Sequence, residues 1–392
     1  MKINVPENAE KIIKVLEDAG YHADIVGGCV RDSILGRIPG DYDITTDALP
    51  ETVRSCFAKT VDTGMKHGTV TVIEGGEPYE VTTYRIDGEY KDNRHPVSVS
   101  FTENLEEDLA RRDFTVNAMA YNPERGLTDP YGGLSDISKR IIRAVGNPEK
   151  RFGEDALRIL RAIRFSSVLN FDIEEKTSMA AKTMAPRLSD VSSERIYTEW
   201  KKLLGGERAY EVVNEYKSVI SVFLPELDSA EITDKNIFDG LDAEERQLLL
   251  FALSDGREGF LKAAKRLKVD NKTRDTGAAV LANLTLLDRP SDVELRKFLL
   301  GKEDRVAMIC ARLCCRMGLC DKDTAERVGA LILADVPRRI NQLAVGGAEM
   351  KSIGLSGEKI GLVLEKLLFA VAALLVENER DNLISFAQKL AL

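Results

Sequence analysis

Residues 25–47, IVGGCVRDSILGRIPGDYDITTD, read as a strand, a glycine turn, a short helix, a loop and a second strand carrying two aspartates one residue apart. Side chains alternate faces along a strand, so Asp41 and Asp43 point one way while Tyr42 and Ile44 point the other. Carboxylates held that close repel one another unless a cation sits between them. The Gly27-Gly28 pair lets backbone approach a ligand. The helix opening near Val30 turns its free N–H groups toward it, and Arg31 adds positive charge. The stretch therefore offers a polyphosphate seat beside a metal seat. Each half also has a bland explanation: Gly-Gly serves as a plain strand-to-helix turn, and an Asp-x-Asp arises on strands by chance. Their closeness in one short segment favours the joint reading.

Such a unit needs a sheet to carry it, and the first third of the chain supplies one. Residues 7–19 place Ile12, Ile13, Val15 and Leu16 at helical spacing, with Gly20 as a stop. ALPETVRSCF reads as a short helix, and HGTVTVI, GGE and PYEVTTYR as a β-hairpin. Glu80, Thr82 and Tyr84 share a face of its second arm, which makes Glu80 a candidate third carboxylate or else a solvated outer-face residue. IDGEYKDNRHP has little apolar periodicity and reads as a loop beside the site. VSVSF follows as a strand. NLEEDLARRDFTVNAMAYN begins helical and ends apolar, with Arg111, Arg112 and Asp113 clustered at the junction.

Beyond DPYGGLSDISKRIIRAV almost every segment is helical, which puts a boundary near residue 138. EDALRILRAIRF reads as a helix in which Asp155 and Arg158 are neighbours, while Arg164 faces elsewhere. Further helices are expected at 172–184, 192–204 and 207–217, the second opening on SSERI, suited to capping. The remaining helical segments follow no fixed repeat. With 392 residues, 44% apolar and 30% charged, the chain has the composition of a soluble protein of two to four units. No membrane span is expected, because Glu365 and Lys366 interrupt the longest apolar run. The acid-bearing N-terminus is not a signal peptide, and the six cysteines read as reduced thiols of a cytoplasmic protein. Cys310 and Cys314 fit buried apolar positions better than a metal site, lacking a complete ligand set.

The net charge of -9 argues against a surface that grips nucleic acid throughout. Between Lys139 and Arg164, however, eight basic residues face three acidic ones, and a second basic cluster runs from Lys262 to Arg274. A polyanion would be held locally. These features together suggest nucleotidyl transfer, with two Mg²⁺ ions about 3.5 to 4 Å apart bridged by Asp41 and Asp43. Cytosine and adenine both present an exocyclic amine donor next to a ring-nitrogen acceptor, and uracil and guanine present the reverse. An acid-plus-arginine pair such as Asp155/Arg158 suits C and A. The same two residues also fit an ordinary i,i+3 helix salt bridge.

In the order of the chain, GGCVRD with DYD (27–32, 41–43), RRDFTVNAMA (111–120), DPYGGLSDISKR (129–140), EDALRILRAIRF (154–165) and SSERI (192–196) resemble the five motifs of bacterial class II tRNA nucleotidyltransferases. These are the CCA-adding enzymes, which share a head with bacterial poly(A) polymerases. The resemblance implies an α+β fold: a polymerase-beta-like catalytic head with a mixed sheet (1–137), then a helical neck (138–205), body (206–295) and tail (296–392). It also implies template-independent addition of C, C and A to the 3′ end of tRNA from CTP and ATP, with Mg²⁺ as cofactor and no DNA partner.

By the same resemblance Gly27, Gly28 and Arg31 would contact the triphosphate, and Asp41 and Asp43 would hold Mg²⁺, with Glu80 as third carboxylate. Arg111, Arg112 and Asp113 would meet the ribose. Asp155 and Arg158 would select the base, with Arg161 and Arg164 completing the pocket. A flexible loop bearing Asp87, Glu89 and Arg94 would help the switch from C to A, which disfavours a CC-adding enzyme. An A-adding enzyme, a poly(A) polymerase and an inactive tRNA-binding protein remain as alternatives. The body and tail would hold the tRNA elbow, with 262–274 as a candidate contact.

Overall fold

The computed structural model describes residues 2–88, 99–284, 289–334 and 336–391. The chain divides into two compact units, Met1–Pro225 and Glu226–Leu392. Unit 1 opens with helix α1 (Glu7–Asp18), whose Ala9, Ile12, Ile13 and Leu16 form a buried stripe. There follow β1 (Ala23–Val26), α2 (Gly28–Ile34), β2 (Ile44–Thr46), α3 (Pro50–Cys56), β3 (Thr60–Gly64), β4 (Thr69–Glu74) and β5 (Glu77–Thr83). Next come β6 (Arg85–Asp87), β7 (Val99–Phe101), α4 (Leu105–Ala110), β8 (Ala120–Asn122), β9 (Gly126–Thr128) and α5 (Gly133–Lys139).

Seven strands make one mixed sheet in the order β3-β4-β5-β2-β1-β8-β9, while β6 and β7 pair separately. Among the described residues, only β2 and β5 run parallel within the large sheet, with Ile44 opposite Val81. A parallel pair must be joined by a long crossover, here α3 and the β3–β4 strands. Continuing that register backwards brings Asp43 alongside Glu80. The β4–β5 hairpin closes on Gly75 and Gly76, both at positive φ (60° and 87°), which the expected turn requires.

Two local expectations are corrected here. Asp41 and Asp43 lie in the segment just before β2 rather than within it, although the Val26 N–H still donates to the Asp43 carbonyl at 2.9 Å. α2 opens at Gly28 and not near Val30, because Gly27, at φ 83°, makes the turn that starts it.

The rest of unit 1 is helical apart from the short pair β10 (Ile141–Ile142) and β11 (Asp172–Ile173). Its helices are α6 (Pro148–Glu154), α7 (Leu157–Leu169), α8 (Glu175–Met184), α9 (Ser193–Leu204), α10 (Ala209–Glu215) and α11 (Lys217–Ile220). The helix expected over 154–165 is therefore two helices. Asp155 is extended (φ -137°, ψ 106°), and its Oδ1 accepts the Leu157 N–H at 3.0 Å, so the acid ends one helix and starts the next. The 207–217 helix likewise breaks at Tyr216. Ser192 starts α9 through its backbone and makes no side-chain cap.

Unit 2 contains α12 (Ala243–Ala252), α13 (Gly256–Arg266), α14 (Asn271–Ala282), α15 (Asp292–Leu299), α16 (Asp304–Arg316), α17 (Thr324–Leu333), α18 (Gly347–Ser352), α19 (Glu358–Ala372) and α20 (Arg380–Ala391). Capping boxes start α12 at Asp242 and α15 at Ser291. Cys310 and Cys314 are buried in α16, and burial pushes both thiols up to about 12. They serve as small apolar side chains. No helix among the described residues is long and apolar enough to cross a membrane.

Within unit 1, α7 and α9 pack closely, and the chain leaves α9 through Gly206, where a Cβ would fall 2.5 Å from the Ser167 carbonyl carbon and oxygen. Backbone cannot yield as a side-chain tip does. Gly206→Ala should lower stability by about 1–3 kcal/mol, read as a fall in thermal midpoint; an unchanged midpoint would contradict the tight α7–α9 packing.

Candidate active site

One cleft in unit 1, of about 620 Å³, is lined by Gly27, Gly28, Arg31, Asp41, Asp43, Arg111, Arg112, Asp113, Asp155, Arg158, Arg161 and Arg164. Every one of these was singled out from the sequence. Arg164, expected to face elsewhere, lines it too, its guanidinium lying over the Phe165 ring of the same lining. Asn117, Leu157, Phe165, Arg195 and Lys202 complete the lining and were not selected as site residues. Asn117 and Arg195 lie inside the RRDFTVNAMA and SSERI motifs, so the signal was present. Leu157 and Phe165 likewise lie inside EDALRILRAIRF, whereas Lys202 had only its place on an amphipathic helix to mark it. Of the expected loop residues, Asp87 ends β6, while Glu89 and Arg94 lie outside the described residues.

The acidic end of the cleft is under electrostatic stress. Asp43 opens to the cleft yet is closely crowded by protein, and its carboxyl is pushed up to about 6 by desolvation, then by Asp41 and Glu80, with Arg112 opposing. Glu80 is exposed on β5 and acts on Asp43 from the neighbouring strand. These carboxylate oxygens suit a hard divalent cation, which would relieve their repulsion. Among the described residues no group of three or more His, Cys, Asp or Glu side chains is gathered as a metal cage. The fit is to an ion that keeps water or substrate oxygens in its shell. Cys29 lies beneath Asp43 with its thiol pushed up to about 12, first by burial and then by that carboxylate, and is no nucleophile at neutral pH.

The basic end is organised by tethers. Arg31, 8% exposed, is gripped by both oxygens of Asp32 at 2.9 Å and donates to Asn117 Oδ1. Asn117 Nδ2 in turn donates to Asp113 Oδ1 at 3.1 Å. Asp113 Oδ2 accepts from Arg161 Nε and Nη2 at 2.8 and 2.6 Å. Burial alone would raise the Asp113 carboxyl, but Arg161, Asn117 and Arg158 hold it far below the usual carboxylate range. A continuous chain of hydrogen bonds thus runs from the glycine turn to α7. The Phe165 ring stacks into it, with the guanidiniums of Arg164, Arg31 and Arg161 at 3.5, 5.1 and 5.3 Å from its centroid.

The side chains of Asp155 and Arg158 share the cleft but do not pair with each other, although the Arg158 backbone N–H donates to the Asp155 carbonyl at 3.0 Å, which corrects the i,i+3 salt-bridge reading. Asp155 Oδ2 accepts from Arg195 Nη2 at 2.7 Å, and Arg158 donates to Glu154 at 2.7 Å and to the Arg111 carbonyl at 2.9 Å. The extended backbone at Asp155 carries the acid off the α7 surface. Across the whole lining, eight cationic side chains (Arg31, Arg111, Arg112, Arg158, Arg161, Arg164, Arg195, Lys202) face four carboxylates (Asp41, Asp43, Asp113, Asp155). The cleft attracts a polyanion.

Residues 23–143 match the "Poly A polymerase head domain" family, and residues 170–231 match "Probable RNA and SrmB- binding site of polymerase A". A CCA-adding enzyme of Lactobacillus helveticus is 35% identical over 391 residues, which cover 97% of this chain and 96% of that protein. The chain belongs to the CCA-adding enzyme family. Another member, from Geobacillus stearothermophilus, is 44% identical over 291 residues, 72% of each chain. The crystal structure of the Bacillus stearothermophilus CCA-adding enzyme in complex with CTP matches with a TM-score of 0.81 and 34% identity over 98% of this chain and 97% of that one. The Thermotoga maritima CCA-adding enzyme complexed with tRNA_CCA shares the fold, with a TM-score of 0.70 at 20% identity over 98% of this chain and 94% of that one. The chain is accordingly a tRNA nucleotidyltransferase with an α+β head followed by helical regions.

The raised Asp43 carboxyl carries a sign. Its folded value of about 6 lies above the ordinary aspartate value of 3.8, so ionising it costs stability as pH rises from about 4 to about 6. Asp43→Asn should therefore raise the thermal midpoint at pH 7.5 without divalent metal, and the gain should vanish below about pH 4. A midpoint that falls at pH 7.5 would contradict the crowding.

Proposed function

We propose that this enzyme adds C, C and A in turn to the 3′ end of tRNA from CTP and ATP, releasing pyrophosphate, with protein side chains in place of a template. The observation that carries the reading is the single cleft in which Asp41 and Asp43 face a bank of arginines while Asp155 and Arg158 stand in the same space. The relatives that match along their whole length are named CCA-adding enzymes, which favours the three-step reaction over A-only addition or general RNA tailing. Intact Asp41, Asp43 and Arg31 argue against an inactive tRNA-binding protein.

Asp41 and Asp43 would hold a divalent cation, proposed as Mg²⁺ from their oxygen donors, with Glu80 deepening the negative potential at Asp43. When bound, such a cation lowers the pKa of the attacking hydroxyl and stabilises the pyrophosphate leaving group. Gly27 and Gly28 let the backbone come close to the triphosphate, and Arg31, fixed by Asp32 and Asn117, neutralises it. Arg111 and Arg112 meet the ribose side. Asp113 contributes by fixing Arg161, since its oxygens are already taken by Asn117, Arg161 and the Phe114 N–H. Asp155 accepts from the base amine and Arg158 donates to the ring nitrogen, while Arg161 and Arg164 wall the pocket. Positioning and charge stabilisation supply most of the rate.

The loop that includes Asp87, Glu89 and Arg94 is proposed to assist the change from C to A. The chain is proposed to divide functionally into head (1–137), neck (138–205), body (206–295) and tail (296–392). The exposed Lys262, Lys265, Lys268 and Lys272 are the proposed tRNA contact, and the cytoplasm, where tRNA is processed, the proposed location.

Incubation with Mg²⁺, CTP, ATP and tRNA transcripts lacking three, two or one 3′ nucleotides should restore all three. Extension of the one-short transcript alone would mark an A-adding enzyme, long A tails on unrelated RNA a poly(A) polymerase, and no incorporation a binding protein. Asp155→Ala should cut discrimination against UTP and GTP by about 5–150-fold, the span of one lost bidentate contact of roughly 1–3 kcal/mol. Unchanged selectivity in misincorporation assays would remove Asp155 from base selection.

A further inference from the structure

Asp108, two residues before the end of α4, has no solvent exposure. Burial by itself would drive this carboxyl up, but Arg111 and Arg112 more than reverse that and keep it ionised. Its oxygens gather donors from three parts of the head. Oδ1 accepts from Arg111 Nε and Nη2 at 3.0 and 2.8 Å and from the Arg85 backbone N–H, at the start of β6, at 3.3 Å. Oδ2 accepts from Arg112 Nη2 at 3.3 Å. Thr45 Oγ1, on β2, lies 3.4 Å from Oδ2 and shares its one proton with the Thr82 carbonyl at 3.2 Å.

Both arginines line the cleft, so the buried acid acts one residue removed from it. Arg112 Nη1 sits 3.0 Å from the point where a side chain on Gly27 would begin, and its charge opposes that of Asp41 and Glu80 at Asp43. Among the described residues Arg112 Nε is buried without a hydrogen-bond partner. The Nη2 contact to Asp108 therefore fixes how the guanidinium is aimed. Without it, the nearest strong attraction for Arg112 is the carboxylate group of the cleft itself.

We infer that Asp108 is a positioning residue for nucleotide binding: it aims Arg111 and Arg112 at the incoming nucleotide and keeps Arg112 from pairing with Asp43. This rests on the cleft being the nucleotide site. A buried counter-charge separates two functions that opposite charges in one wet cleft would otherwise cancel.

The test is a mutant cycle on the full chain, with the CTP dissociation constant from calorimetry and KM for CTP in tRNA extension as readouts. Asp108→Asn should weaken CTP by about 10–100-fold, the loss of charge-assisted hydrogen bonds. In an Arg111→Met/Arg112→Met background, the same substitution should change CTP affinity by less than about twofold, since residues acting through one another are not additive. Equal losses in both backgrounds, or unchanged CTP affinity in the single variant, would overturn the inference and leave a purely structural acid. If Asp108→Asn does not fold, Asp108→Glu, which keeps the charge but shifts it by a methylene, enters the same cycle. A several-fold loss confined to the native background supports the inference, and no loss or an additive one overturns it. Failure of the underlying reading is seen separately, as native protein that extends no tRNA.

Discussion

Asp41 and Asp43 share one open cleft with a bank of guanidiniums without an ion pair to any of them among the described residues, and the site depends on that separation. In water the attraction between such groups at contact is only about 1 kcal/mol, but it rises several-fold where protein displaces solvent. Most of the charges are therefore tied by partners: Arg31 by Asp32, Arg111 and Arg112 by Asp108, Arg158 by Glu154, Arg161 by Asp113, Arg164 by Glu199, Asp155 by Arg195. The side chains of Asp41 and Asp43 make no such bond among the described residues, and desolvation, Asp41 and Glu80 together push the Asp43 carboxyl up.

The tethers also explain why the sheet-bearing and helical parts of unit 1 behave as one body. The bonds from Arg31 through Asn117 and Asp113 to Arg161 begin at the first glycine turn and end on α7. Arg158 reaches back to the Arg111 carbonyl, and Arg151 to that of Ala110. Because these groups pair across that junction, bending it would break buried hydrogen bonds at about 1–3 kcal/mol each. Chemistry at the acidic end and selection at α7 are thus held in fixed relation.

Much of this was legible from residue order. The glycine pair, the aspartates, the RRD cluster and the arginines at three-residue steps are charged or conformationally special residues in places that packing alone does not explain. What sequence periodicity misread was the run 154–165. Apolar spacing continues smoothly through Asp155 because Ala156 and Leu157 are buried on either account, so nothing in the pattern reveals the extended residue between them. Asp108 was illegible for a related reason: among the acids of LEEDLA it looks like any solvated first-turn residue of a short helix. Only the tertiary fold distinguishes it from Glu106 and Glu107, which stay at the exposed face.

The parallel pairing of β2 and β5 sets a limit on how this head can vary. Asp43 and Glu80 lie 37 positions apart, yet stand together because β2 and β5 run side by side in one register. Sliding β5 by a single position would present Val81 to Asp43 and expose Val81 and Thr83, now fully buried, to water. The hydrophobic packing beneath the sheet thereby proof-reads the electrostatics above it. Insertions in the β3–β4 crossover are harmless to the acidic cluster only if they leave that alignment untouched.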